Sequence, residues 1–210
     1  ELTAEQRTFY LGKLRGFVRG MYEKLARRVG VRQQQGESGD AKLLRARVLS
    51  IMADGAHDEP TRAALARAGR QYLGLDPGSK PRPDALPVEL LDAALRLLVD
   101  ESATTTWDAV YARLKAEQDA NVRTRLILAL ASVTDARSAK ARALSLDAAL
   151  RVNETLLPIR VQLADFRTRA DTYAYFEQHF DELAKRVSPS TMGGTPWFAG
   201  ICTAICPPGR

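Results

Sequence analysis

The stretch from Thr104 to Asp135, TTTWDAVYARLKAEQDANVRTRLILALASVTD, decides the fold. Trp107, Val110, Tyr111 and Leu114 fall at i, i+3, i+4 and i+7 in its first half, and Val122, Leu126, Ala129, Leu130 and Val133 repeat that spacing in its second. The recurrence matches the turn of an α-helix, so each half reads as a helix with one core-facing stripe. Between them Asp119 is an N-cap, its carboxylate placed to accept from the free backbone N–H groups that open a helix. The connection is short, which makes the two helices antiparallel neighbours. Ile127 and Leu128 lie off the main stripe, so the second helix is apolar on more than one side and belongs between layers.

Upstream, residues 3–29 read as one amphipathic helix with Tyr10, Leu14, Phe17, Met21 and Leu25 on its stripe, Thr3 and Gln6 as a capping box, and Gly30 as its end. VRQQQGESGD is a loop. Asp40 is the expected cap of a helix whose Leu44, Val48 and Ile51 face one way and which Gly55 stops. Asp58 and Pro60 open the next helix, through Leu65, Ala68 and Tyr72. A proline-rich loop, LDPGSKPRPDALP, leads to a stripe of Leu91, Ala94, Leu95 and Leu98.

Downstream, Asp135 caps a segment through Ala139 and Leu144, and Asn153 opens NETLLPIRVQLADF, with Pro158 either in its first turns or kinking it. Thr168 with Asp171 caps a helix whose Tyr173, Phe176, Phe180 and Leu183 form the most aromatic stripe of the chain. Thr191 to Ala204 is glycine-interrupted and weaker. There are thus about ten helices, no convincing strand, and hairpins recurring every 30 to 40 residues or so, the period of HEAT and armadillo arrays. The expected fold is all-α: one helical-repeat domain over residues 1–210, in which stacked hairpins form a curved, right-handed HEAT/armadillo-like superhelix, with a compact irregular bundle as the alternative. Trp107, Leu126, Leu130, Phe176 and Phe180 are its expected core.

A chain of 210 residues that is 45% apolar can bury roughly 70% of its unfolded surface. That is enough for one elongated domain or two small ones. The net charge of +6 comes largely from arginines interspersed with acids, and no run of five like charges occurs. This is a solvated basic surface rather than a nucleic-acid arm. Cys202 and Cys206 are four apart, a poor geometry for a disulfide within one helix, and they read as small buried hydrophobes. His57 belongs in a turn and His179 on the aromatic helix, neither with a second ligand at useful spacing. No apolar run approaches about 18 residues, so nothing spans a membrane, and no secretory signal opens the chain. It opens ELTAEQRTFY and ends ICPPGR, which reads as a piece of something longer from which a targeting signal would be missing; the compartment is left open, a soluble cytoplasmic or periplasmic protein being the expectation. Phosphate loops, nucleophile elbows and Cys/His pairs are absent.

Gly36-Glu37-Ser38, then Leu43-Leu44-Arg45 and Val48-Leu49, then Trp107-Asp108 with Tyr111, follow one another in an order that continues through Arg123 and Arg125 before Leu128-Ala129-Leu130. Leu157-Pro158-Ile159-Arg160 and then Tyr173, Phe176, Phe180 and Asp181 complete it. This succession, over nearly all of residues 1–206, resembles the C-terminal helical domain of zinc aminopeptidases related to aminopeptidase N and puromycin-sensitive aminopeptidase. The resemblance implies a non-catalytic domain that caps the active-site chamber of an upstream catalytic domain in the same chain and meets the distal part of a peptide substrate. Zinc would belong to that upstream domain, whose His-Glu-x-x-His and Gly-Ala-Met-Glu-Asn stretches are absent here, so the fragment itself carries no cofactor and should be inactive. Partners expected are that domain and a peptide, with no nucleic acid and no membrane. The competing reading is a free-standing helical-repeat scaffold that binds a peptide or nucleic acid.

Arginine spacing supplies the candidate substrate contacts. Asp119 lies four residues before Arg123 and is its expected local partner. Arg45, Arg125 and Arg160 have no acid three or four residues away on either side. Arg47, Arg67 and Arg70 pass the same test. Within the resemblance, at least one of Arg45, Arg125 and Arg160 is expected to face the chamber and attract a peptide's C-terminal carboxylate.

Overall fold

Asp119 accepts from the backbone N–H groups of Asn121 at 2.9 Å and Val122 at 3.0 Å, opening a helix where the sequence places one. The structure, a computed structural model, describes residues 3–33, 35–100 and 104–187. Among these the regular elements are ten α-helices with short 3-10 and π turns, and no strand. The fold is all-α, of helical-repeat type. The chain divides into two compact units, Glu1–Glu101 and Ser102–Arg210.

In the second unit, α5 (Thr104–Ala116) packs on α6 (Ala120–Ala131) through buried Trp107, Val110, Leu114, Leu126 and Leu130. Trp107 Nε1 donates to the Leu130 carbonyl at 3.1 Å, so the indole's one polar group is satisfied inside the core. Ile127 is buried and Leu128 exposed, which confirms a helix covered on more than one side but not on all. After α7 (Ser138–Ala143), 3-10 turns at Leu144–Leu146 and Val152–Glu154 lead to α8 (Leu157–Ala164), with Pro158 in its first turn. The helix expected from Asn153 thus begins at Leu157, because Asn153 is spent in the 3-10 turn. Gln162 on α8 donates to the carbonyls of Ala131 at 2.6 Å and Val133 at 2.7 Å, satisfying acceptors that the end of α6 leaves open.

The aromatic stripe is split between α9 (Arg169–Gln178) and α10 (Phe180–Arg186). Ile159, Leu163, Phe176 and Leu183 form its core cluster, with Tyr173 and Tyr175 against it. Phe180 was expected in that core and is instead 41% exposed. The helix breaks at His179, which changes the phase of the stripe: Leu183 stays inside while Phe180 touches Phe176 only edge-on, with centroids 5.7 Å apart. Thr168 does not cap α9 with its side chain; its hydroxyl donates back to the Gln162 carbonyl at 2.6 Å. The segment Thr191–Ala204 and both cysteines lie outside the described residues.

In the first unit, α1 (Ala4–Val29) carries the expected capping box, with Gln6 N–H donating to Thr3 Oγ1 at 3.2 Å and Thr3 N–H to Gln6 Oε1 at 2.9 Å. Its stripe departs from expectation. Tyr10, Leu14, Phe17 and Met21 are exposed, Phe17 by 67%, since α1 engages α2 (Gly39–Ser50) and the π turn Ile51–Gly55 through its C-terminal part, where Ala26 is buried. Ser38, not Asp40, caps α2, accepting from Ala41 N–H at 3.2 Å. The buried face of that helix is Arg45, Val48 and Leu49, continued by Met52 in the π turn, while Leu44 is exposed.

Asp58 caps α3 (Glu59–Leu73), which lies against α4 (Leu91–Asp100) at Gly69. A Cβ there would come 2.9 Å from the Ala94 carbonyl oxygen, so glycine is what lets the two backbones approach. Gly74 ends α3 at φ +64°, and a Cβ on it would sit 2.5 Å from Pro81 N. The proline-rich loop is thereby drawn against the end of α3, where Arg82 N–H donates to the carbonyls of Gln71 and Tyr72 at 3.1 and 3.2 Å.

Candidate functional site

Arginine placement separates structural cations from those turned outward. Arg45 is 1% exposed on the core face of α2. Its Nη1 donates to Glu37 Oε2 at 2.6 Å, its Nη2 pairs with the other oxygen, and its Nε reaches the carbonyls of Val29 and Gly30 at 3.2 and 3.1 Å. This two-pronged pair ties the loop before α2 to the end of α1, and it explains why the expected Leu44 face is not the buried one: a paired, desolvated guanidinium takes the core position.

Arg123 behaves alike in the second unit. Its expected partner, Asp119, is occupied in capping α6, and the guanidinium instead meets Glu154, Nε to Oε1 and Nη2 to Oε2, each at 2.7 Å. It also donates to the carbonyls of Leu114 at 2.9 Å, Glu117 at 3.1 Å and Ala149 at 2.8 Å, so one side chain fixes the end of α5, the loop before Val152 and the following turn. Burial alone would push the Glu154 carboxyl up; the bonds from Arg123 and from Arg151 N–H outweigh it and hold it below the usual glutamate range.

The other two candidates lie on the helices that pack together in that unit. Arg125 on α6 is half-buried and engaged in an interaction of its own; Arg160 on α8 is exposed. The histidines stay local, His57 beside Glu59 at 3.3 Å and His179 beside Glu182 at 3.3 Å. Among the described residues no group of three or more His, Cys, Asp or Glu side chains could hold a metal ion.

A groove of about 800 Å³ lies in the first unit, with Arg32, Arg67, Arg82 and Asp84 on its walls and Leu86 and Pro87 among its apolar lining. Of these, sequence spacing singles out Arg67 alone. Arg32 and Arg82 sit in loops, where no helical period relates them to a face; the pull of Gly74 on the proline-rich loop is what brings Arg82 in.

A family model described as the ERAP1-like C-terminal domain matches residues 3–207, nearly the whole chain. The chain belongs to that family. As an ERAP1-like C-terminal domain it is of the aminopeptidase C-terminal type, in agreement with the ordered landmarks from Gly36 to Asp181 and with the all-helical architecture. No curated protein matches this ERAP1-like domain. Among its described residues no helix is long and apolar enough to cross a membrane.

Proposed function

We propose that this chain is the non-catalytic C-terminal domain of a zinc-dependent aminopeptidase that removes N-terminal amino acids from peptides. It encloses the active-site chamber of an upstream catalytic domain in the same polypeptide and contacts the distal part of the substrate. The family match over residues 3–207 is the observation that carries this reading. Helical hairpins suit the role physically, because stacked repeats expose a broad surface without needing a catalytic cluster of their own.

Within this reading Arg125 and Arg160 are the arginines offered to a peptide's C-terminal carboxylate, Arg45 being committed to Glu37. In the longer enzyme, Arg125→Ala and Arg160→Ala are compared on a peptide and on an aminoacyl-anilide that lacks a carboxylate. Loss of peptide turnover by about 10-fold in at least one variant, with anilide turnover kept, is the expected result. Equal loss of both activities, or of neither, in both variants makes the arginines structural. Arg45→Ala is expected to lower both through stability.

A further inference from the structure

We infer that the groove of the first unit binds an extended acidic peptide segment, a partner distinct from the substrate contact proposed above. Three elements converge on it. Arg32 follows the end of α1, Arg67 projects from α3, and Arg82 is held by its own backbone N–H on the carbonyls of Gln71 and Tyr72. Against these three arginines stands one lining acid, Asp84, which takes an Arg82 bond at 3.3 Å and leaves the groove with a net charge of +2. Among the described residues neither Arg32 nor Arg67 has an acidic partner. Their guanidinium groups are left to solvent or to a ligand.

Shape selects the ligand class. At about 800 Å³ the groove is far larger than a single inorganic anion. Its lining mixes the arginines with Ala64, Ala68, Leu86 and Val88 and is walled by Pro83 and Pro87, a surface that fits carboxylate side chains alternating with small apolar ones. No aromatic side chain lines it, so the stacking platform that a single-stranded nucleic acid uses is missing. The walls are preorganised: Leu86 is buried, the prolines fix their φ, and Gly74 seats the loop against α3. Charge complementarity then gives specificity and a salt-dependent affinity.

The test is fluorescence anisotropy at low salt with a fluorescein-labelled Glu-Glu-Ala-Glu-Glu-Ala peptide, its glutamine counterpart, and an oligothymidine of matching length. Binding of the acidic peptide alone is expected. Each of Arg32→Ala, Arg67→Ala and Arg82→Ala should weaken it by about 2- to 5-fold and the triple variant by about 10- to 100-fold, with Lys185→Ala as an unchanged control and melting curves showing that the variants remain folded. Equal binding of the glutamine peptide, undiminished binding by the folded triple variant, tighter binding of oligothymidine, or displacement by inorganic phosphate at concentrations no higher than those of unlabelled peptide would each overturn the inference.

Discussion

Arg123 and Glu154, thirty-one residues apart, face each other with both prongs at 2.7 Å and only 4% of either side chain exposed. Removing one partner strands the other charge away from water, so Glu154→Leu and Arg123→Met are each expected to cost about 3 to 5 kcal/mol. Arg123→Met also strips three carbonyls of their donor. Arg123→Met combined with Glu154→Leu should cost clearly less than the two single changes added together, because no unpaired charge is left. Denaturant unfolding of the four proteins measures the coupling.

Acid should act through the same pair. Glu154 has a folded-state pKa below the usual 4.5, since Arg123 and Arg151 N–H outweigh the effect of burial. A depressed carboxyl contributes stability that is present above the unfolded value and is lost as pH falls through the folded one. Asp135 and Asp165, held down chiefly by their bonds from Arg137 and Arg167, act in the same direction. Melting temperature is therefore expected to hold from neutral pH to about 5 and to fall steadily below about 4.5. A melting temperature that rises on acidification would contradict this.

Tyr111 donates to Asp147 Oδ2 at 2.6 Å, and this bond, helped by burial and by the aspartate's charge, pushes its phenol up to about 12. The raised value means that the contact stabilises the fold fully below the unfolded value near 10 and ceases to do so as pH climbs through 12. In an ultraviolet titration of phenolate, Tyr111→Phe should remove one tyrosine from the last part of the curve. Loss of an early-titrating tyrosine instead would show that the bond does not form in solution.

Two glycines make a matched pair of tests. Gly69→Ala thrusts a methyl at the backbone of Ala94, which cannot swing aside, and is expected to cost about 1 to 3 kcal/mol. At Gly12, in the interior of α1, a Cβ meets nothing within 4 Å. There alanine should stabilise by roughly 0.5 to 1 kcal/mol through chain entropy and helix propensity. Thermal melts of the two variants should move in opposite directions.

How far the sequence could be read depended on whether local spacing or long-range pairing controlled each residue. Trp107, Leu126 and Leu130 were legible because an apolar period of 3.6 has one physical outcome in a packed hairpin. Caps at Thr3, Asp58 and Asp119 were legible because the donor groups they serve are two or three residues away. Arg45 and Arg123 were not, since their partners lie in loops whose position no period encodes, and a count that treats arginine as solvent-facing turns α2 by one residue. Phe180 failed for a related reason: nothing in its own spacing announces a break at His179. Of the basic groove, Arg67 passed a spacing filter, whereas Arg32 and Arg82 depend on how two loops are folded back.

From Glu5 to Phe17 every residue of α1 whose side chain is described is exposed. A helical stretch of that length whose side chains are exposed is marginal in water, even with a good cap at its start. Its amides should therefore trade hydrogen for deuterium close to the rate of local fraying, while those around Ala26, Val48 and Leu65 wait for the first unit to open. Exchange would accordingly divide α1 in two near Val18, and a binding partner that covers Phe17 would be registered as slowed labelling of the helix's first turns before any change at its anchored end.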